Sequence, residues 1–229
     1  MGQLSKQTKQ VLYGNLVVMS LLTGRVLVTH SNTYLFLLWN LFLAFLPLCA
    51  AIYAERKKMR SWSLIGVSAM WLAFFPNAPY LITDLYHLAH FRGVPLWYDA
   101  LLLFTSAFTG LAMGFISLQL MEKSWRYVWR EKVFKKYSTQ MRWRYRAALV
   151  GFVFFLSGFG VYLGRVLRWN SWDVLTDSKG LVSDIAVRVV NPIDHKYTWA
   201  FTIAYAVVLF FLYNVWCSAT LFKKKNPGV

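Results

Sequence analysis

Six apolar runs, each close to twenty residues long, limit this chain more than any other feature. They cover roughly residues 11–29, 34–54, 62–83, 98–121, 147–167 and 198–222. A helix needs ~20 consecutive apolar residues to cross the hydrocarbon of a bilayer. Backbone amides in lipid must bond within their own segment, and the runs lack the alternation of barrel strands, so they predict helices. With 58% hydrophobic and only 15% charged residues, 229 residues cannot clothe an ordinary soluble domain. The expected fold is therefore all-α: a polytopic membrane protein with six transmembrane helices, read as one domain over residues 1–229. The first run follows Lys6 and Lys9 as a secretory signal would, but Arg25, Val26 and Leu27 stand where a cleavage site belongs, so it reads as an uncleaved span.

The net charge of +16 reflects position rather than nucleic-acid binding. Of 25 lysines and arginines, 18 lie in the N-terminal tail, the second and fourth connections and the C-terminal tail, which are the same side of the membrane in a six-span chain. The positive-inside rule then puts the N-terminus and the C-terminus in the cytoplasm. Six of the nine acidic residues, Asp84, Asp99, Asp173, Asp177, Asp184 and Asp194, fall in or beside the opposite connections. Residues 122–146 interleave nine basic residues with tryptophans and tyrosines, the pattern of a cytoplasmic segment lying on anionic headgroups. Cys49 and Cys217 lie within expected spans, so no disulfide framework is implied.

Two polar-aromatic clusters interrupt the apolar pattern, both at outward ends of spans. In the third span, Phe75, Pro76, Asn77, Ala78, Pro79 and Tyr80 put two prolines three residues apart. Each proline removes a donor and crowds the preceding turn, so the third helix should break at the Pro76/Pro79 segment, with Asn77 as the local partner for freed carbonyls. Asp84, His87 and His90 follow at steps of three, and Asp99 opens the next span. That set suits either a divalent metal or acid-base work by a histidine, although its spacing is not that of a known zinc motif. The second cluster is Arg165, Arg168, Trp169, Asn170, Ser171, Trp172 and Asp173. Helical spacing puts Arg165, Arg168 and Trp172 on one face, where guanidinium forks suit a phosphate or carboxylate and the indole suits an apolar group. Their counter-charges would be Asp84, Asp99 and Asp173.

Residues 168–197 form the extracytoplasmic loop. They carry a turn signal at Asp177–Gly180, a short amphipathic helix expected from Ser183 to Val190, and a stop at Asn191 and Pro192. Asp194 and His195 would lean back as a lid. Arg25, without a local counter-charge, either snorkels outward or joins the polar network. The GxxxG pairs Gly110/Gly114 and Gly160/Gly164 predict close helix packing. No nucleophile elbow, phosphate loop or dinucleotide fingerprint is present.

The strings FPNAPYLITDLYHL and GRVLRWNSWDVL, with WYD between them, resemble the bacterial membrane-protein family catalogued as domain of unknown function 1361. The likeness runs from about Trp71 to His195. It implies a multi-pass protein of the bacterial plasma membrane and no established activity.

Together these observations predict an outward-opening pocket with Asp84, His87, Asp99 and Asp173 as acid-base groups and Asn77, Arg165, Arg168, Asn170 and Trp172 as ligand contacts. The economical ligand is an amphiphile with an anionic head, either a membrane phospholipid or a lipid-linked envelope precursor. A transferase or hydrolase, a carrier or flippase, and a non-catalytic envelope scaffold all fit that pattern, and a divalent metal is a compatible cofactor.

Overall fold

The third apolar run is two helices. α3 (Ser61–Phe74) ends at the first proline, and α4 (Asn77–Thr83) restarts after Phe75 and Pro76. This comes from a computed structural model describing residues 6–59, 61–88, 93–132, 139–170 and 172–225. The break follows from missing donors. Pro79 cannot donate to Phe75, so the Ala78 N–H shifts by one residue onto the Phe75 carbonyl at 3.1 Å. Asn77 Nδ2 then donates to the stranded Phe74 carbonyl at 3.0 Å. The expected partner of the break is thus found, and the two bonds keep the chain close to helical through the interruption.

The rest of the first compact unit, Met1–Lys135, consists of α1 (Lys6–Thr29), α2 (Phe36–Lys57) and α5 (Leu96–Lys132), with a 3₁₀ turn at Asp84–His87. α5 is its axis. Its most apolar window is 72% buried, against 22%, 39% and 28% for the other three candidate spans of the unit, because α1, α2, α3 and α4 all pack on it. Small residues make the closest approach. A Cβ on Gly110 would lie 2.7 Å from the Ala78 carbonyl oxygen and one on Gly114 would lie 3.1 Å from Ala78 Cβ, so the first GxxxG pair is where broken α4 seats on α5.

The second unit, Lys136–Val229, contains α6 (Thr139–Arg165), α7 (Asp173–Thr176), α8 (Ser178–Val190) and α9 (Lys196–Lys225). α6 and α9 pair along their length. Their tight contact is at Gly158, where a Cβ would meet the Thr202 carbonyl oxygen at 2.7 Å. Trp199 stacks on both Phe155 and Phe159 near the same interface.

Among the described residues, six helical stretches are long and apolar enough to cross a membrane: Gln7–Thr29, Phe36–Lys57, Ser61–His87, Leu96–Val128, Trp143–Arg165 and Lys196–Ala219. They match the six expected runs within a few residues at most ends, and they make this an all-α, multi-pass membrane protein. Much of the basic-aromatic segment 122–146 is helical: residues 122–132 prolong α5 and residues 139–146 open α6. Good helix formers without glycine or proline explain the extension, and pairs such as Lys123–Glu55 (2.6 Å) and Trp125 Nε1 to Ser68 Oγ (2.9 Å) hold the tail of α5 to its neighbours. α8, in turn, begins at Ser178 rather than Ser183. What reads as a turn at Asp177–Gly180 is a helix cap, in which Asp177 Oδ1 accepts from the Gly180 N–H at 3.0 Å.

Candidate functional site

Among the described residues, a cluster of polar side chains stands at an end of each unit. In the first unit it forms where α1 finishes and α5 begins. Arg25, one turn from the end of α1, donates from Nε to Asp99 Oδ1 at 2.7 Å and from Nη2 to Asp99 Oδ2 at 3.2 Å, and each side chain is 1% exposed. Arg25 therefore joins the network rather than snorkelling. Its guanidinium lies 4.5 Å from the centre of the buried Tyr34 ring, a cation–π contact that adds to the two charge-assisted bonds. Tyr34 Oη donates to the His87 carbonyl at 3.1 Å, and Tyr98 Oη donates to the Leu21 carbonyl at 2.8 Å. Asp84, also 1% exposed, accepts from Asn40 Nδ2 at 2.9 Å. The result fastens the first connection and the 3₁₀ turn to α1, α2 and α5.

The expected acid-base residues are thus differently situated. Asp84 and Asp99 are sealed, whereas His87, three residues beyond Asp84, is exposed, with its ring edge-on to Phe36 at 5.2 Å. Asp84 and His87 do not share one accessible face, because α2 covers the first while the 3₁₀ turn carries the second to the rim. His90 lies outside the described residues. Among the described residues no group of three histidine, cysteine or acidic side chains is placed to hold a metal ion. Asn77 is engaged with the helix break described above. Neither cysteine is in a disulfide, and Cys217 Sγ accepts from Arg146 Nη2 at 3.8 Å.

In the second unit the cluster follows α6. Arg165 is its last residue and is half-buried, while Arg168 is exposed in the left-handed region with φ 64°. That backbone turns the chain so that the Trp169 N–H donates back to the Leu163 carbonyl at 3.1 Å. A non-glycine residue there costs about 1–2 kcal/mol, so an arginine at this position is an observation in need of a reason. Among the described residues nothing pairs with its guanidinium. Asp173, expected as an arginine counter-charge, instead closes its own turn. Its Oδ2 accepts from the Asn170 backbone N–H at 2.6 Å and Nδ2 at 3.2 Å, and its Oδ1 from Thr176 Oγ1 at 3.1 Å. The Asn170 backbone N–H, helped by the Thr176 hydroxyl and the Asn170 amide and opposed by slight desolvation, holds the Asp173 carboxyl below the ordinary aspartate range. Trp172 is 48% exposed.

Sequence reasoning passed over one feature here. Trp169 Nε1 donates to Asp184 Oδ2 at 2.8 Å, Arg188 pairs with Asp184 at 3.2 Å, and Trp199 Nε1 donates to the Arg188 carbonyl at 3.2 Å. These bonds dock α8 to the unit. The signal was available in the i,i+4 spacing of Asp184 and Arg188. In the first unit, Tyr34, Asn40 and Tyr98 were likewise overlooked, though Asn40 is a polar residue inside an apolar run. The residues expected to form one pocket divide between the two units, with Asn77, Asp84, His87 and Asp99 in the first and Arg165, Arg168, Asn170, Trp172 and Asp173 in the second.

The fold and these clusters define a multi-pass, all-helical membrane protein with a buried charged pair near the end of a helix bundle. The chain belongs to the family described as protein of unknown function (DUF1361), whose model matches residues 39–212 and so reaches further at both ends than the PNAPY and RWNSWD strings. No curated protein and no solved structure matches the chain.

Proposed function

We propose that the protein binds the anionic head group of a membrane amphiphile, a phospholipid or a lipid-linked envelope precursor, through the turn that follows α6. Arg168 and Arg165 contact the charged head, Asn170 contributes its amide, and Trp172 covers an adjoining apolar group. The observation that carries this reading is Arg168 itself: an exposed guanidinium on a left-handed backbone where glycine is preferred, with no described counter-charge. Strained backbone persists where the surroundings enforce it and is concentrated at working sites. The topology proposed with it puts this turn on the outer side of the bacterial plasma membrane and both termini in the cytoplasm, from the distribution of lysine and arginine.

In this reading the Arg25–Asp99 pair is a fastening. All three carboxylates expected to move protons, Asp84, Asp99 and Asp173, are engaged in the hydrogen bonds described above, so binding is favoured over transferase or hydrolase chemistry. The break between α3 and α4 favours a second reading, a carrier or flippase, because broken spans line translocation sites in many transporters.

The test is native mass spectrometry of the purified full-length protein carrying co-purified lipid, with added anionic and zwitterionic phospholipid as probes. Arg168→Ala and the double variant Arg165→Ala/Arg168→Ala should lose anionic lipid roughly tenfold, as expected for one or two charge-assisted contacts. Arg168→Lys should lose less. Retention of anionic lipid by a folded double variant at the level of the parent would overturn the proposal.

A further inference from the structure

We infer that α8 is an interfacial helix whose outer face is embedded in the lipid surface that α6 and α9 enter. Both flanking helices are candidate spans, and α8 is tied to their adjoining ends. Trp169, four residues beyond α6, holds Asp184, and Trp199, in the first turn of α9, holds the Arg188 carbonyl. A helix fixed at those two points runs along the boundary where the spans leave the hydrocarbon. Its two faces are chemically opposite. Asp184 and Arg188, with Leu181 and Ile185, turn inward and are half-buried, and the two charges pair with each other.

The outward face carries Val182, Ala186, Val189 and Val190, at helical spacing and all exposed, and Ile193 continues the patch just past the helix at 85% exposed. None of these is charged. Lys179 lies on the same face at its first turn, where a long side chain reaches headgroup level, and Ser183 and Val187 lie to one side. A short helix with its one ion pair turned inward and most of its aliphatics outward is the reverse of a water-facing surface helix. It suits the headgroup–acyl boundary, where an apolar stripe sinks below the phosphates and a lysine stays at their level. This inference does not depend on the head-group proposal, since it uses neither Arg168 nor Trp172.

The experiment uses the full-length protein, with Cys49→Ser and Cys217→Ser, reconstituted into anionic phospholipid vesicles. Single cysteines are placed in turn at Val182, Ala186 and Val189, and at Ser183 and Val187, and are spin-labelled. Collision with oxygen, which partitions into acyl chains, is compared with collision with a water-soluble nickel chelate. Labels at 182, 186 and 189 should favour oxygen by at least about twofold over those at 183 and 187, following the helical period. Preferential access of the chelate to 182, 186 and 189 would sink the inference. So would protection of those three sites from both reagents, which would mean that protein, such as a second copy of the chain, covers the face. Loss of lipid binding in the Arg168 variants with this accessibility pattern intact would separate the two proposals.

Discussion

Single side chains at the two bundle ends behave in opposite ways, and each behaviour can be measured. Arg25 and Asp99 are removed from solvent, and breaking a buried pair leaves an uncompensated charge. Arg25→Ala or Asp99→Ala should therefore destabilise the protein by about 3–5 kcal/mol, whereas the apolar double replacement Arg25→Met/Asp99→Leu should cost far less. Thermal unfolding in detergent micelles separates these outcomes. Asp173 illustrates the solvent-facing case. Its folded carboxyl sits below the usual aspartate range, chiefly because of the Asn170 N–H. It therefore stabilises its turn fully above the unfolded value, and the contribution is lost as pH falls through the folded value. Titration by carboxyl carbon chemical shift should show a midpoint below about 3.9, with the α7 turn loosening only in stronger acid. Arg168 predicts a third contrast: glycine in its place should relieve left-handed strain and give a higher melting temperature than alanine, by up to about 1 kcal/mol of stability.

At the level of helices, the Gly110 contact makes a sharp comparison with its neighbour. A Cβ at Gly110 would press on backbone oxygen, which cannot swing aside, while one at Gly114 would press on a methyl group. Gly110→Ala should cost about 1–3 kcal/mol and Gly114→Ala clearly less, again read by thermal unfolding. The helices were legible because hydropathy sets span length directly, and the proline pair gave the break in the third span together with Asn77 as its local partner. What the residues concealed was context. The Asp177–Gly180 string satisfies both a turn and an N-cap, and only the position of α8 decides between them. The charge of segment 122–146 speaks to where it lies and is silent on secondary structure, so the continuation of α5 through residues 122–132 was not legible in it. The Arg25–Asp99 pair joins residues 74 apart, and nothing local to either side chain names the other.

For the whole molecule, six crossings would make both termini share one side, and in the proposed topology that side is the cytoplasm. Reporter fusions at the two ends, one active only in the cytoplasm and one only outside it, should agree with each other and favour the cytoplasmic reporter. Opposite results at the two ends would contradict six crossings. α5 adds a mechanical corollary. At 37 residues it runs ~55 Å as a helix, well beyond a hydrocarbon core of ~30 Å. Arg25 holds Asp99 near one end, and Glu55 and Ser68 hold Lys123 and Trp125 near the other, so the rod is clamped at both tips and serves as the mast against which its shorter neighbours are braced.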